Sequence, residues 1–235
     1  MIKPLTTIAL VALCLPTSLF AADRLDLYPL DTCAVAKRSK LGSMGDPIVQ
    51  EVEGREYRLC CKRCDGKLTG KTEAVTKSVD ERIIAQQKPY YPLDTCVVSG
   101  EKLGDDAVDF VVKNALVRTC CNNCARKVQG DPDKFLAKLD QAIVAQQSKN
   151  YPLRTCAVSG EPLDEGDMKG KTVEVIVGNR LVKVCCKGCL KGLKKDPAAV
   201  LAAVEAGWKE AKGGASKKGE SSKKPGMKGH EGHDH

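Results

Sequence analysis

Three stretches of the chain place cysteines where they could act together: "YRLCCKRC" at residues 57–64, "LVRTCCNNC" at 116–124 and "LVKVCCKGC" at 181–189. Each is preceded by one earlier cysteine. The sets are Cys33 with Cys60, Cys61 and Cys64; Cys96 with Cys120, Cys121 and Cys124; and Cys156 with Cys185, Cys186 and Cys189. Four thiols per set is the number a tetrahedral zinc site takes, and also the number for two disulfides.

Spacing separates these chemistries. Cysteines one and three or four residues apart, on a bend from strand to helix, can converge on a point about 2.3 Å from each sulfur, and they are too close in sequence to bridge one another comfortably. The early cysteine then closes the site from the far side of a hairpin. A thiophilic ion, Zn(II) or Cu(I), at about one per set is the expected cofactor, since thiolates bind both strongly. Strand alternation is expected to split the vicinal pair. Cys61, Cys121 and Cys186 lie two residues beyond Leu59, Thr119 and Val184, which points them at the core as small buried hydrophobes. Cys60, Cys120 and Cys185 lie two beyond Arg58, Arg118 and Lys183, cations that would favour the metal-binding thiolate.

These cysteines sit in an internal repeat. "YPLDTCAVAKRSKLG" at 28, "YPLDTCVVSGEKLG" at 91 and "YPLRTCAVSGEPLD" at 151 open three units, 28–90, 91–150 and 151–210. In the third unit "VEVIVGNRLVKVCC" reads as two alternating strands around Gly178-Asn179, a dipeptide suited to a two-residue hairpin turn. "VDFVVKNALVRTCC" and "IVQEVEGREYRLCC", with Gly54 at its turn, repeat the pattern. After each cluster comes a helix. In "DPDKFLAKLDQAIVAQQ" the apolar residues Phe135, Leu136, Leu139, Ile143 and Val144 have helical spacing, Asp131 stands where an N-cap belongs and Pro132 opens the first turn. The apolar stripe is expected to pack on the hairpin of its own unit. "DPAAVLAAVEAGW" copies this helix in the third unit, and "TEAVTKSVDERIIAQQ" does so in the first without the Asp-Pro.

Composition agrees with small units held by sulfur. Only 4% of the 235 residues are aromatic and thirteen are cysteine, so each core is too small to fold on hydrophobic area alone. Residues 1–22 read as a signal peptide: Lys3, an apolar run from Ile8 to Leu15, Pro16, then Ala21 and Ala22. Nothing later approaches a transmembrane span. The mature protein is expected to be exported, with a bacterial periplasm as its compartment. Much of the net charge of +8 sits in the Gly/Ser/Lys-rich segment 211–235, which is expected to be a disordered tail, so nucleic acid is not an expected partner. His230, His233 and His235 in that tail form a weaker candidate site for Zn(II), Cu(II) or Ni(II).

The units resemble the TRASH and YHS families of small metal-binding domains, whose pattern is an early Cys, a hairpin, Cys or Cys-Cys, and a last Cys before a helix. "CVVSGEKL…RTCCNNCARKVQGDPDKFL" follows it nearly throughout. The resemblance implies a small α+β fold of three tandem treble-clef-like modules, each a β-hairpin plus helix stapled by metal. It also implies a role in trafficking, resistance to or sensing of heavy metals, with another metal-handling protein as a candidate partner. Related zinc modules carry Cys-x-x-Cys first and Cys-x3-Cys second. Here the second cysteine is replaced by Ala36, Ser99 and Ser159, which leaves three sulfurs unless the vicinal cysteine swings in. The competing readings are a disulfide-stapled structural or adaptor module without metal and a thiol-disulfide enzyme. The latter lacks a βαβ context, and no Ser-His-Asp set or His-Glu-x-x-His is present, so catalysis is not expected.

Overall fold

A computed structural model describes residues 22–218. The expected signal peptide lies outside the described residues apart from Ala22, and so do His230, His233 and His235.

Each repeat folds as a tight loop, a two-stranded hairpin and a pair of helices. The hairpins are β2 (Ile48–Val52) with β3 (Arg55–Leu59), β4 (Val108–Val112) with β5 (Ala115–Thr119), and β6 (Val173–Val177) with β7 (Arg180–Val184). All three are antiparallel in the same register, pairing Ile48 with Leu59, Val108 with Thr119 and Val173 with Val184. Their two-residue turns use positive φ, at Glu53 (53°) and Gly54 (72°), Lys113 (46°) and Asn114 (63°), and Gly178 (58°). Primed turns of this kind match the right-handed twist of the strands they join.

The helices are α1 (Lys62–Gly70) and α2 (Thr72–Gln87), α3 (Asn122–Gly130) and α4 (Pro132–Gln147), and α5 (Leu190–Lys195) and α6 (Pro197–Lys218). In α4 the predicted residues Phe135, Leu136, Leu139 and Ile143 are buried, with Val144 partly so. The expected cap fails, because Asp131 makes no side-chain hydrogen bond to the helix. The cap is made in the third unit, where the Asp196 carboxylate accepts from the Ala199 amide at 3.0 Å. Helix α6 also runs past residue 211, the expected start of a disordered tail. Once a helix is nucleated, each further residue adds a hydrogen bond at little cost, so it outlasts the apolar pattern that started it.

One strand lies outside the repeat. β1 (Asp23–Leu25) lies parallel to β6, so residues ahead of the first unit extend the third unit's sheet in the order β1-β6-β7. The Arg24 guanidinium donates to the Gly178 carbonyl at 2.8 Å and pairs with Asp140.

The units are not beads on a string. Helix α4 lies between two hairpins, and its buried residues share a cluster with Val117 of β5 and with Ile176 and Leu181 of the next unit's hairpin. The expectation of packing on its own hairpin is therefore half of the arrangement. The next-unit contact is directed by a buried amide. Gln147 donates to the Asn179 carbonyl at 3.0 Å and accepts from the Leu181 amide at 3.0 Å. One repeat earlier Gln87 does the same with the Asn114 carbonyl and Leu116 amide, at 3.0 and 2.8 Å. Asn114 and Asn179 each reach back one unit, to the carbonyls of Glu56 and Leu116. A Cβ on Gly178 would stand 2.5 Å from the Gln87 amide nitrogen, so close approach as well as turn geometry requires glycine there.

Replacing Gln147 with Leu keeps the volume and strands one buried N–H and one buried C=O. Each such group costs about 1–3 kcal/mol. Urea unfolding of the reduced protein should show Gln147→Leu less stable by about 2–4 kcal/mol, whereas a loss near zero would mean water replaces the amide.

Candidate metal centres

The early cysteine of each unit sits at the base of the tight loop. Its amide donates across the loop, Cys33 to the Ser39 carbonyl at 2.9 Å, Cys96 to Glu101 at 2.7 Å and Cys156 to Glu161 at 2.8 Å. Single bridges Thr32 to Lys40, Thr95 to Lys102 and Thr155 to Pro162 close the loop just outside. In the second and third units the loop reverses through Gly100 and Gly160, whose φ values of 76° and 78° suit glycine. Their amides bond back to the Cys96 and Cys156 carbonyls, each at 2.8 Å.

The late cysteines occupy the bend from strand to helix. Cys61, Cys121 and Cys186 have nearly identical extended backbones, with φ of −164°, −161° and −160°, at the position that caps the following helical turn. This puts the preceding cysteine (Cys60, Cys120, Cys185) under the end of the hairpin and the one three residues later (Cys64, Cys124, Cys189) on the first helical turn.

The result is one group of three sulfurs per unit, all mutually within 4.8 Å: Cys33, Cys60 and Cys64; Cys96, Cys120 and Cys124; Cys156, Cys185 and Cys189. The pair from the strand end and the helix is 3.8 Å apart in the first and second units and 3.5 Å in the third. Sulfurs at the corners of a tetrahedron with bonds of about 2.3 Å lie about 3.8 Å apart. The three clusters can each hold a metal ion, and the late cysteines they gather are the two with Cys-x3-Cys spacing. All twelve described cysteines are free thiols.

The assignment of faces for the vicinal pair fails at Cys121, whereas Cys61 and Cys186 pack half-buried against the cores of their units. Cys60 and Cys185 are buried and belong to the triads, whereas Cys121 is exposed and Cys61 and Cys186 are half-buried outside them. Strand alternation ends with β3, β5 and β7 at Leu59, Thr119 and Val184, so its phase does not carry across the bend. The cation argument fails as well. Arg58, Arg118 and Lys183 pair with Glu56, Asp109 and Glu174, at 2.8, 2.7 and 2.7 Å, and the Arg58 guanidinium also binds the Lys194 and Lys195 carbonyls at 2.5 and 2.6 Å.

Hydrogen bonds at the early cysteine stabilise the thiolate instead. Burial pushes the Cys96 thiol up, and this is outweighed by the Ser99 hydroxyl and the amides of Ser99, Cys120 and Val98, which bring it down to about 6. Cys156 falls to about 7, its burial opposed by the Cys185 amide, the Ser159 hydroxyl and amide, and the Val158 amide. Cys33 is lowered too, burial being offset by amides that include Ala36, which donates to its sulfur at 3.3 Å. The partners move oppositely. Burial and the neighbouring thiolate push Cys64 up to about 12, and burial raises Cys124. Without an ion, each triad accordingly favours one thiolate.

A fourth corner differs between units. The Ser99 hydroxyl stands 3.6 Å from the Cys120 sulfur and the Glu101 carboxylate 3.4 Å from it, while the Ser159 hydroxyl stands 3.3 Å from Cys185. Ala36 offers no such oxygen in the first unit, where Cys61 lies 4.0 and 3.9 Å from Cys60 and Cys64. Comparison with family models, curated proteins and solved structures found no match for the chain.

Two outcomes test this geometry. At pH 8 Cys96 is already ionised while Cys120, pushed up to about 12, and Cys124 are not, so zinc binding at the middle site should release about two protons. Lower pH therefore weakens binding, and three protons are displaced once pH falls below about 6, where Cys96 takes up its own. Calorimetry in buffers of differing ionisation enthalpy counts them, and three protons at pH 8 would contradict the thiolate assignment. Ser99→Cys should add a fourth sulfur and tighten the middle site for zinc by about tenfold or more, measured by chelator competition.

Proposed function

We propose that this chain is an exported metal-binding protein that holds Zn(II) or Cu(I) through the cysteine triads of three TRASH/YHS-like, treble-clef-like units and acts in scavenging or trafficking of such ions. The observation that carries this reading is the same gathering of three sulfurs, at spacings an ion of about 2.3 Å bond length requires, in each of three separately folded loops and bends. The signal-like residues 1–22 support a periplasmic setting. Among the described residues no helix is long and apolar enough to cross a membrane. The family resemblance is carried by the cysteine, hairpin and helix pattern. No role in catalysis is proposed, since the cysteines suffice as a binding set.

A disulfide-stapled module without metal is the competing reading. The cysteines are free thiols, and the late pair of each unit stands 3.5–3.8 Å apart against a disulfide bond of about 2.05 Å, which favours the metal reading. Protein purified from its native compartment should contain about three thiophilic ions per chain with its cysteines reduced. Removal of the ions by a strong chelator under reducing conditions should then lower the circular dichroism and the thermal midpoint. Metal-free protein with six disulfides would establish the competing reading.

A further inference from the structure

Each unit carries one sulfur that its triad does not use. Cys61, Cys121 and Cys186 follow their triad neighbours directly in all three repeats, at the same extended backbone position. Cys121 is exposed, and Cys61 and Cys186 pack half-buried at the edge of their units' cores, so all three keep part of their surface open to solvent. The early triad cysteines are 0–2% exposed. The spare sulfur is nevertheless close to the site. Cys61 lies 4.0 Å from Cys60 and 3.9 Å from Cys64, and Cys121 lies 3.9 Å from Cys120. Two sulfurs bound to one ion are separated by about 3.8–4.0 Å. An ion in the triad can therefore bond the spare sulfur without first leaving its other ligands.

We infer that Cys61, Cys121 and Cys186 are transfer ligands that carry the ion between the buried triad and solvent. This rests on the metal-binding reading. In the middle unit the Cys121 thiol gives its proton to water and its sulfur bonds the ion, while the bond to the deepest sulfur, Cys96, breaks and that sulfur leaves as thiolate. The ion is then held by Cys120, Cys121 and Cys124 at the protein surface. A thiolate or other soft donor of an acceptor bonds the ion next, and the protein sulfurs leave one by one and take up protons. The ion keeps its valence throughout and no electrons move. Exchange in which each new bond forms before an old one breaks avoids a bare ion, whose release would cost the whole binding free energy at once.

Full-length, zinc-loaded protein is mixed with excess pyridylazoresorcinol, and the rate of zinc transfer is compared with the equilibrium affinity. Cys121→Ser alone, and Cys61→Ser, Cys121→Ser and Cys186→Ser combined, should slow transfer about tenfold or more while affinity falls by no more than about threefold. The single variant changes an exposed side chain, so folding is not at issue for it. Transfer as fast as in the unaltered protein would overturn the inference and leave the binding sites standing. A loss of affinity as large as that of Cys124→Ser would overturn it too, by making Cys121 a resting ligand. Unaltered protein that takes up neither zinc nor Cu(I) would overturn this inference and the metal-binding reading together.

Discussion

Convergence of three sulfurs within 4.8 Å is the constraint on which each unit is built. Two like charges about 4 Å apart repel by about 1 kcal/mol in water and about 4 kcal/mol at an effective dielectric of 20. Three thiolates would therefore push the loop and the bend apart, and the middle triad lessens this by drawing Cys96 down to about 6 while Cys120 is pushed up to about 12. A cation reverses the balance. Zinc bound by thiolates supplies roughly 10–16 kcal/mol, comparable with or larger than the entire net stability of an ordinary domain. The hairpin and first helix carry the late cysteines and the tight loop carries the early one, so the triad ties the two ends of the unit together.

Cores this small are completed by their neighbours. The apolar face of α4 serves two hairpins, and Gln87 and Gln147 end their helices by pairing with the backbone just past the next unit's turn. A buried amide can meet a carbonyl and an N–H at once, as a strand would, and either group left unpaired would be costly. The first and third units meet differently. Arg58, two residues before Cys60, binds the last carbonyls of α5, the helix that follows Cys189, where a cation is also favoured by the helix dipole. Arg180 packs 3.7 Å from the Tyr90 ring of the first unit and pairs with Glu205. The backbone leading into one cysteine triad is thus joined to the helix leading out of another.

What was legible in the sequence was whatever depends on short-range pattern. The three units, their hairpins and the span of α4 with its buried face all follow from spacing within about 20 residues, and the late pair of each triad is the one the family resemblance implies. Failures came where spacing stops governing. Alternation assigned Cys121 to the core because it was extended through a bend that resets the direction of every side chain. Arg58 and Arg118 were assigned to the sulfurs because they are close in sequence, yet Glu56 and Asp109 lie across or along the hairpin and take them. The motif "AQQ" recurs at 85–87 and 145–147, and a glutamine repeated at the end of an apolar helix was a visible signal for a buried polar contact. Its partners lie 27–34 residues away, in the next unit, and no local rule names them. β1 is similar, since its partner β6 is about 150 residues distant.

Repetition does not make the three centres equivalent. Each triad offers the same three sulfurs, so what separates them chemically is the fourth side. In the middle unit an oxygen from Ser99 or Glu101 borders the site, and in the third unit Ser159 does so. Oxygen donors suit harder ions, whereas a purely sulfur environment suits soft ones such as Cu(I). Ala36 removes that oxygen in the first unit, and Cys61 there approaches both late ligands. The first site is consequently the softest of the three, and it is the one whose loop departs furthest from its copies: it lacks the Ser-Gly turn and is one residue longer between its cysteine and the closing leucine (Leu41, Leu103, Leu163). The departure from the repeat therefore changes the donor set as well as the loop, leaving one cluster bordered by sulfur alone beside two bordered by oxygen.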